Sequence, residues 1–179
     1  MSEHRFTLTE SGTLLGRFAP IEADLLRLAT TQLLEMLDSG AADPGLAAGD
    51  GLFGRLLPAA YRDDDEAAAE FRRFTATGLL ERKAQNAQIV LHSLSSDEHG
   101  ERDASTDTAD RQPVTVTLDP DAVQAWLRSL TDLRLTLADR LQISPDGVVH
   151  LQGDDTPFLR ELYDWLGMLQ EELVYAIDV

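Results

Sequence analysis

The fold of this chain can be worked out from the residues Trp126-Leu-Arg-Ser-Leu-Thr-Asp-Leu-Arg-Leu-Thr-Leu-Ala-Asp-Arg-Leu141. At about 100° per residue, this stretch and the turn before it predict a helix with one apolar face. The apolar residues on that face are Val123, Trp126, Leu127, Leu130, Leu133, Leu137 and Leu141. Arg134 falls inside the same face. Because an unpaired buried charge is very costly, Arg134 predicts a carboxylate or several carbonyl groups on a neighbouring element.

The residues before this helix predict a hairpin followed by another helix. Residues 5–18 alternate apolar and polar side chains around the turn signal Glu10-Ser-Gly-Thr13, which is typical of a β-hairpin. Pro20 suits the first turn of a helix, and the apolar spacing continues to Asp38-Ser-Gly40. We therefore expect a helix over 20–38 and a loop over 39–56, with a short turn near Leu52-Phe53.

Two further helices are predicted over 63–74 and 76–94. Asp63 and Glu66 have the spacing of a capping box at the start of the first. Thr75-Ala-Thr-Gly78 is expected to break the helix, because glycine and β-branched residues have low helix propensity. Two helices joined in this way could form a helix-turn-helix, so a transcription regulator is one alternative function.

The remaining elements complete a mainly α fold with small β-hairpins. Residues 95–112 lack bulky apolar side chains and are expected to form an acidic, mobile loop. Val114–Leu118 predicts a strand, and Asp119-Pro120 predicts the start of the central helix. A second small hairpin is expected over 142–151, and a last helix starts at Thr156-Pro157. We expect residues 1–179 to form a single-domain helical bundle.

Composition excludes several classes of function. The chain has 179 residues, a net charge of −17 and no cysteine. The acidic charge argues against nucleic-acid binding and against anionic membrane surfaces, which both require Lys and Arg. The sequence shows no apolar signal segment and no run long enough to span a bilayer, which favours a cytoplasmic protein.

Motifs that would indicate an enzyme or a cofactor site are missing from the sequence. There is no phosphate-binding glycine loop, no paired-histidine metal motif and no Gly-x-Ser-x-Gly elbow. The four histidines share no metal-ligand spacing, and Asp63–Glu66 is better explained as a helix cap than as a cation site. We therefore predict no metal and no cofactor, and the sequence itself names no reaction.

One constellation of polar residues stands out, and it surrounds Arg134. Its expected acidic partner is Glu70, with Asp65 or Glu161 as alternatives, and the pair would fix how two helices align. Alternatively, Arg134 or Arg73 grips a carboxylate or phosphate in an anion-binding pocket. The complete candidate set for an ion pair or an anion site is Arg134, Glu70, Arg73, Tyr61, Asp65, Arg140 and Gln170.

Three blocks of the sequence resemble an uncharacterised actinobacterial family, domain of unknown function number 2017. The blocks are LPAAYRDDDEAAAEFRRFT at 57–75, WLRSLTDLRLTLADRL at 126–141 and YDWLGMLQEEL at 163–173. The resemblance spans nearly the whole chain and implies no established reaction. Members are often encoded near the adaptor of the Clp protease and a metallopeptidase acting on a sulfur-carrier protein. The resemblance therefore implies a link to regulated proteolysis.

Taken together, these features predict a non-enzymatic regulatory or protein-interaction domain that binds a protein partner or forms a homodimer. A small enzyme or ligand-binding domain with an Arg/Glu anion site is the first alternative. The helix-turn-helix regulator built on residues 63–94 is the second.

Overall fold

A computed structural model describes residues 5–42, 52–57, 64–95 and 111–178 of the chain. These residues form five helices and a small three-stranded antiparallel sheet, which confirms the predicted mainly α fold class. In chain order the elements are β1 (Phe6–Leu8), β2 (Leu14–Phe18), α1 (Pro20–Ala42), α2 (Leu52–Leu56), α3 (Asp65–Ser95), β3 (Val114–Leu118), α4 (Pro120–Arg140) and α5 (Thr156–Asp178).

The sheet has the strand order β1-β2-β3, and the predicted N-terminal hairpin forms its first two strands. Gly16 of β2 pairs with Phe6 on one side and with Val116 on the other. A Cβ atom on Gly16 would lie 2.7 Å from the Phe6 ring and 2.9 Å from a Val116 methyl group. Glycine at this position therefore lets both side chains close over the centre of the sheet.

The second predicted hairpin, over 142–151, is reduced to a single bridge between Ile143 and Val149. Gly147 makes the turn with a φ of 83°, and the Ser144 hydroxyl bonds to Asp146 and to the Val148 carbonyl. These local bonds satisfy the backbone within a tight turn, so the flanking residues form no longer ladder. The prediction of a hairpin was therefore wrong in extent, although its turn is present.

The predicted break at residues 75–78 is absent, because α3 is one continuous helix of 31 residues. Gly78 costs a helix only about 1 kcal/mol relative to alanine, and burial of Ala76 and Leu80 on either side offsets that cost. The helix is capped one residue later than predicted, by Asp64, whose Oδ1 accepts from the backbone N–H groups of Glu66 and Ala67. Asp63, the predicted cap, lies outside the described residues. A helix-turn-helix over 63–94 is therefore excluded by the continuous helix.

The central helix α4 begins and ends with well-defined caps. Asp119 Oδ1 accepts from Ala122 N–H at 2.8 Å, and Pro120 occupies the first turn, as predicted. At the other end Gln142 adopts a φ of 53°. This left-handed residue lets the N–H of Ile143 bond to the Ala138 carbonyl, which satisfies an otherwise orphaned carbonyl.

Helix α4 is buried on two faces. Trp126 is fully buried and stacks on Phe18 of β2, with ring centroids 5.6 Å apart, so the apolar face packs against the sheet. On the other side, the small residues Ala125 and Ser129 and the buried Asp132 follow the spacing i, i+4, i+7. Asp132 contacts α3, and this second face allows α3 and α4 to pack closely.

An ionic cluster on α1 contacts both the last turn of α3 and Arg111, which precedes β3. Arg27 donates from Nη2 to the Leu94 carbonyl at 2.6 Å, in the last turn of α3. Asp24 bonds to Arg27 at 2.9 Å and also to Arg111 at 2.9 Å. A cation at the carboxyl end of α3 is favoured by the helix dipole. Leu94 and Arg111, which lie on either side of residues 96–110, are therefore both held by neighbouring turns of α1.

Candidate functional site

Arg134 of α4 lies half-buried against α5, where an aromatic ring and an amide surround its guanidinium. Its Cζ atom is 4.8 Å from the centroid of the Tyr163 ring, within the range of a cation–π contact. Nη1 donates to Gln170 Oε1 at 3.3 Å. A Cβ atom on Gly167 would lie 3.3 Å from Cζ. Gly167 therefore leaves the space that the guanidinium occupies over the surface of α5.

The guanidinium has no carboxylate within 4 Å among the residues that the structure describes. Glu70 and Asp65 of α3 and Glu161 of α5, the expected partners, are all exposed and do not reach it. Its Nε atom is buried and has no hydrogen-bond partner among the residues that the structure describes. Arg134 is thus a partly desolvated cation whose charge is met only by a ring face and a neutral amide.

Gln170 is held in place by a second bond. Its Nε2 donates to the Thr131 hydroxyl at 2.8 Å, which leaves Oε1 turned towards Arg134. The structure therefore brings together two of the predicted site residues, Arg134 and Gln170, with Tyr163 beside them. Such an arrangement could receive a carboxylate or a phosphate, because guanidinium N–H groups bind oxyanions in a bidentate fork.

Of the other five predicted site residues, Glu70, Asp65 and Arg140 lie away from Arg134, and the side chains of the remaining two are outside the described part of the chain. Arg140 is exposed in the last turn of α4. Arg73 belongs to α3, but its side chain is outside the description, and so is Tyr61. The structure thus does not assemble the whole predicted set around one site.

A buried ion pair between α3 and α4 was missed at the sequence level. Lys83, the only lysine of the chain, lies with its Nζ 2.6 Å from Asp132 Oδ1. Asp132 is 2% exposed, and its burial raises the pKa of the carboxyl although the bond to Lys83 acts in the opposite direction. Asp132 Oδ2 and the Ser129 hydroxyl are buried without partners among the described residues. The i, i+4, i+7 spacing of Ala125, Ser129 and Asp132 was the signal that could have revealed this second face.

A second ionic group ties β1 to α1 and α5. Arg5 donates to both carboxylate oxygens of Glu22, at 2.8 and 2.9 Å, and to Glu172 at 2.9 Å. Burial raises the pKa of Glu22, but the bonds from Arg5 and from the Ala19 N–H together hold it below its ordinary value. The bonds to Glu22 and Glu172 raise the pKa of Arg5. This group joins three elements and places the Arg5 cation between two carboxylates.

Metal and membrane chemistry find no support within the described ranges. No group of three or more His, Asp or Glu side chains there could hold a metal ion. None of the helices in those ranges is long and apolar enough to cross a membrane.

Comparison with known proteins gives one family and one kind of relative. A family model described as Domain of unknown function (DUF2017) matches residues 3–177. The Oxidative stress regulator AosR of Mycobacterium bovis is 32% identical over 143 residues, and two strains of Mycobacterium tuberculosis carry relatives with the same values. These alignments cover 72% of this chain but only 59% of each regulator. No solved structure matches the chain.

Proposed function

The chain belongs to the DUF2017 family, and from this premise we propose that it is a cytoplasmic regulatory protein that controls the response to oxidative stress by binding another protein. The observation that carries the proposal is the 32% identity to proteins named as oxidative stress regulators, over 72% of this chain. Since the alignment covers 59% of each regulator, the relatives' role is transferred here as a proposal.

A binding role without catalysis agrees with the residues of the chain. The sequence carries no recognisable catalytic motif, and its ionic groups at Arg5 and Lys83 are paired with acids that hold helices together. The net charge of −17 steers association towards basic partners. A regulator that acts through contact needs such a surface and needs no reaction centre.

The sequence also limits how an oxidant could be sensed. These 179 residues contain no cysteine, so they cannot form a disulfide or a sulfenic acid. We infer that thiol oxidation takes place on the partner and that this chain binds one state of that partner better than the other. Such a difference in affinity is what shifts a partner between two states.

The test is genetic and uses the full chain. A strain lacking the gene is exposed to hydrogen peroxide and compared with the same strain carrying a plasmid copy. We expect survival and the peroxide-induced transcripts to change on deletion and to return with the plasmid copy. Equal responses in all strains would refute the proposal, and an equal change under heat shock would show a general stress defect.

Regulated proteolysis is the alternative process, and the family resemblance supports it. In that case deletion should alter the lifetime of the partner protein and leave the level of its messenger RNA unchanged. Measuring both after synthesis is stopped separates control of proteolysis from control of transcription.

Anion binding at Arg134 is a second candidate function, favoured by the absence of a carboxylate near that guanidinium in the described ranges. We expect inorganic phosphate or citrate to shift the NMR signal of the Arg134 side-chain N–H. The shift should be lost in Arg134→Leu, whereas chloride at the same ionic strength should cause none. Equal shifts with chloride would mean that only ionic strength is being detected.

A further inference from the structure

An apolar groove lies between the first turns of α1 and the first half of α5, and we call it the α1–α5 groove. The volume of this open groove is about 300 Å³. Its lining residues are Ile21, Glu22, Leu25, Phe158, Glu161, Leu162 and Trp165. Ile21 is 63% exposed and Phe158 is 55% exposed, which is unusual for large apolar side chains that lie close together.

Each helix presents a regular apolar edge to this groove. The edge of α1 consists of Ile21 and Leu25 and is continued beyond the groove by the exposed Leu28, and the edge of α5 consists of Phe158, Leu162 and Trp165. Both sets follow the spacing i, i+4, i+7, which places each set on one side of its helix. Helix α1 packs mainly on α3, and α5 packs on α4 and β1, so the two helices meet each other only lightly, through a bond between Trp165 and Glu22. Two apolar edges on either side of an open groove resemble the grooves that bind amphipathic helices.

The acidic charge of α1 and α5 favours a basic partner over a second copy of this chain. Two charged residues line the groove: Glu22, which is paired with Arg5, and the exposed Glu161. Helices α1 and α5 together carry nine acidic residues and two basic ones. A second copy of this chain would bring the same acidic helices together, and like charges oppose such contact. A partner with Lys and Arg beside its apolar face would be attracted instead.

We propose that the α1–α5 groove binds an amphipathic helix of a partner protein, with large apolar side chains on one face and lysine or arginine along its flanks. This inference rests on the proposed function, because it names the surface through which a regulator without a reaction centre would act. Phe158 and Ile21 form the exposed walls, and Leu162, only 8% exposed, lies at the floor. The bound helix would place its apolar residues between them.

The experiment uses the full chain and a synthetic amphipathic helix of leucine and lysine that contains no tryptophan. Trp165 lines the groove, whereas Trp126, the only other tryptophan, is fully buried, so a change in fluorescence on binding reports Trp165. We expect saturable binding that weakens as salt is added. The variants Phe158→Ser and Ile21→Ser should each weaken binding by about tenfold, as loss of a central apolar anchor does. Phe74→Ser removes an 82% exposed phenylalanine from α3 and should leave the affinity unchanged.

Four outcomes would overturn the inference. Equal affinity for a scrambled peptide of the same composition would show that charge alone binds it. Unchanged affinity in both groove variants would place the binding elsewhere. Self-association of the free chain that Phe158→Ser abolishes, as measured by sedimentation, would make a second copy the occupant. The two groove variants can also be tested for peroxide survival. If Phe158→Ser and Ile21→Ser bind no peptide but still restore survival, the groove is not the surface through which the chain acts. The groove inference then fails while the proposed function stands.

Discussion

Lys83 Nζ lies 2.6 Å from Asp132 Oδ1, and this bond joins α3 to a face of α4 from which water is almost excluded. Removing one member of a buried pair is strongly destabilising, since the remaining charge stays buried without compensation. We expect Lys83→Met to lower the free energy of unfolding by roughly 3 kcal/mol. This value is at the lower end of the loss of about 3–5 kcal/mol that is usual for a broken buried pair, because Lys83 is 22% exposed. Urea unfolding at neutral pH measures this loss.

A double variant provides the matched control for that prediction. Lys83→Met combined with Asp132→Leu removes both charges and should recover most of the stability that the single variant loses. If Lys83→Met is as stable as the wild type, the pair contributes nothing to the fold. The buried carboxylate would then need another partner.

Two carboxyl groups should give opposite dependences of stability on pH. Burial raises the pKa of Asp132 above 3.8, so its stabilising contribution is largest below 3.8 and is lost as pH rises through the raised value. The pKa of Glu22 is lowered from 4.5, so its contribution is present above 4.5 and is lost as pH falls through the lowered value. Unfolding of the wild type should therefore be compared with Asp132→Asn and Glu22→Gln across the acidic range. The difference in unfolding free energy between the wild type and each variant should change with pH in opposite directions for the two variants. A change in the same direction for both would contradict this assignment.

Gly78→Ala should stabilise the protein. A Cβ atom at this position meets nothing within 4 Å, and alanine is favoured over glycine inside a helix by about 1 kcal/mol. Thermal unfolding should therefore shift to higher temperature. The same change at Gly40 is the control, because its Cβ would lie 2.5 Å from the Phe53 ring and should lower stability. A loss of stability in Gly78→Ala would indicate that α3 is interrupted there.

Arg134→Leu should cost far less stability than Lys83→Met. The guanidinium has no carboxylate partner among the described residues, and a cation–π contact contributes about 0.5–2 kcal/mol. We therefore expect a loss of about 1 kcal/mol or less, with an unchanged helical circular dichroism spectrum. A loss as large as that for Lys83→Met would make Arg134 a structural residue and would remove the reason to expect an anion site.

The features that sequence predicted well are local ones. Asp119 and Pro120 act on their own helix, so the start of α4 could be identified from the chain alone. The alternation in residues 5–18 likewise indicated the hairpin, whose turn lies within the same stretch. Gly78 was misjudged because its helical cost is small compared with the burial of neighbouring residues by α1 and α4, which no local pattern reveals.

The candidate site depended on contacts between distant residues, and there prediction succeeded only in part. Arg134 was identified as unusual, but its position over Tyr163 follows from the closeness of α4 and α5 at Gly167. The partner of Asp132 lies 49 residues away on α3. Residue spacing can show that a charge lies on a buried face, but it does not show which distant side chain will meet it.

The ionic cluster of Asp24, Arg27 and Arg111 has a consequence for engineering the chain. Because Arg27 bonds to Leu94 and Asp24 bonds to Arg111, α1 holds the described residues on both sides of positions 96–110. Each doubling of a connection between fixed ends adds only about 0.6 kcal/mol of closure entropy. This position is therefore the natural place to insert a fluorescent reporter or affinity tag, or to open new termini by circular permutation.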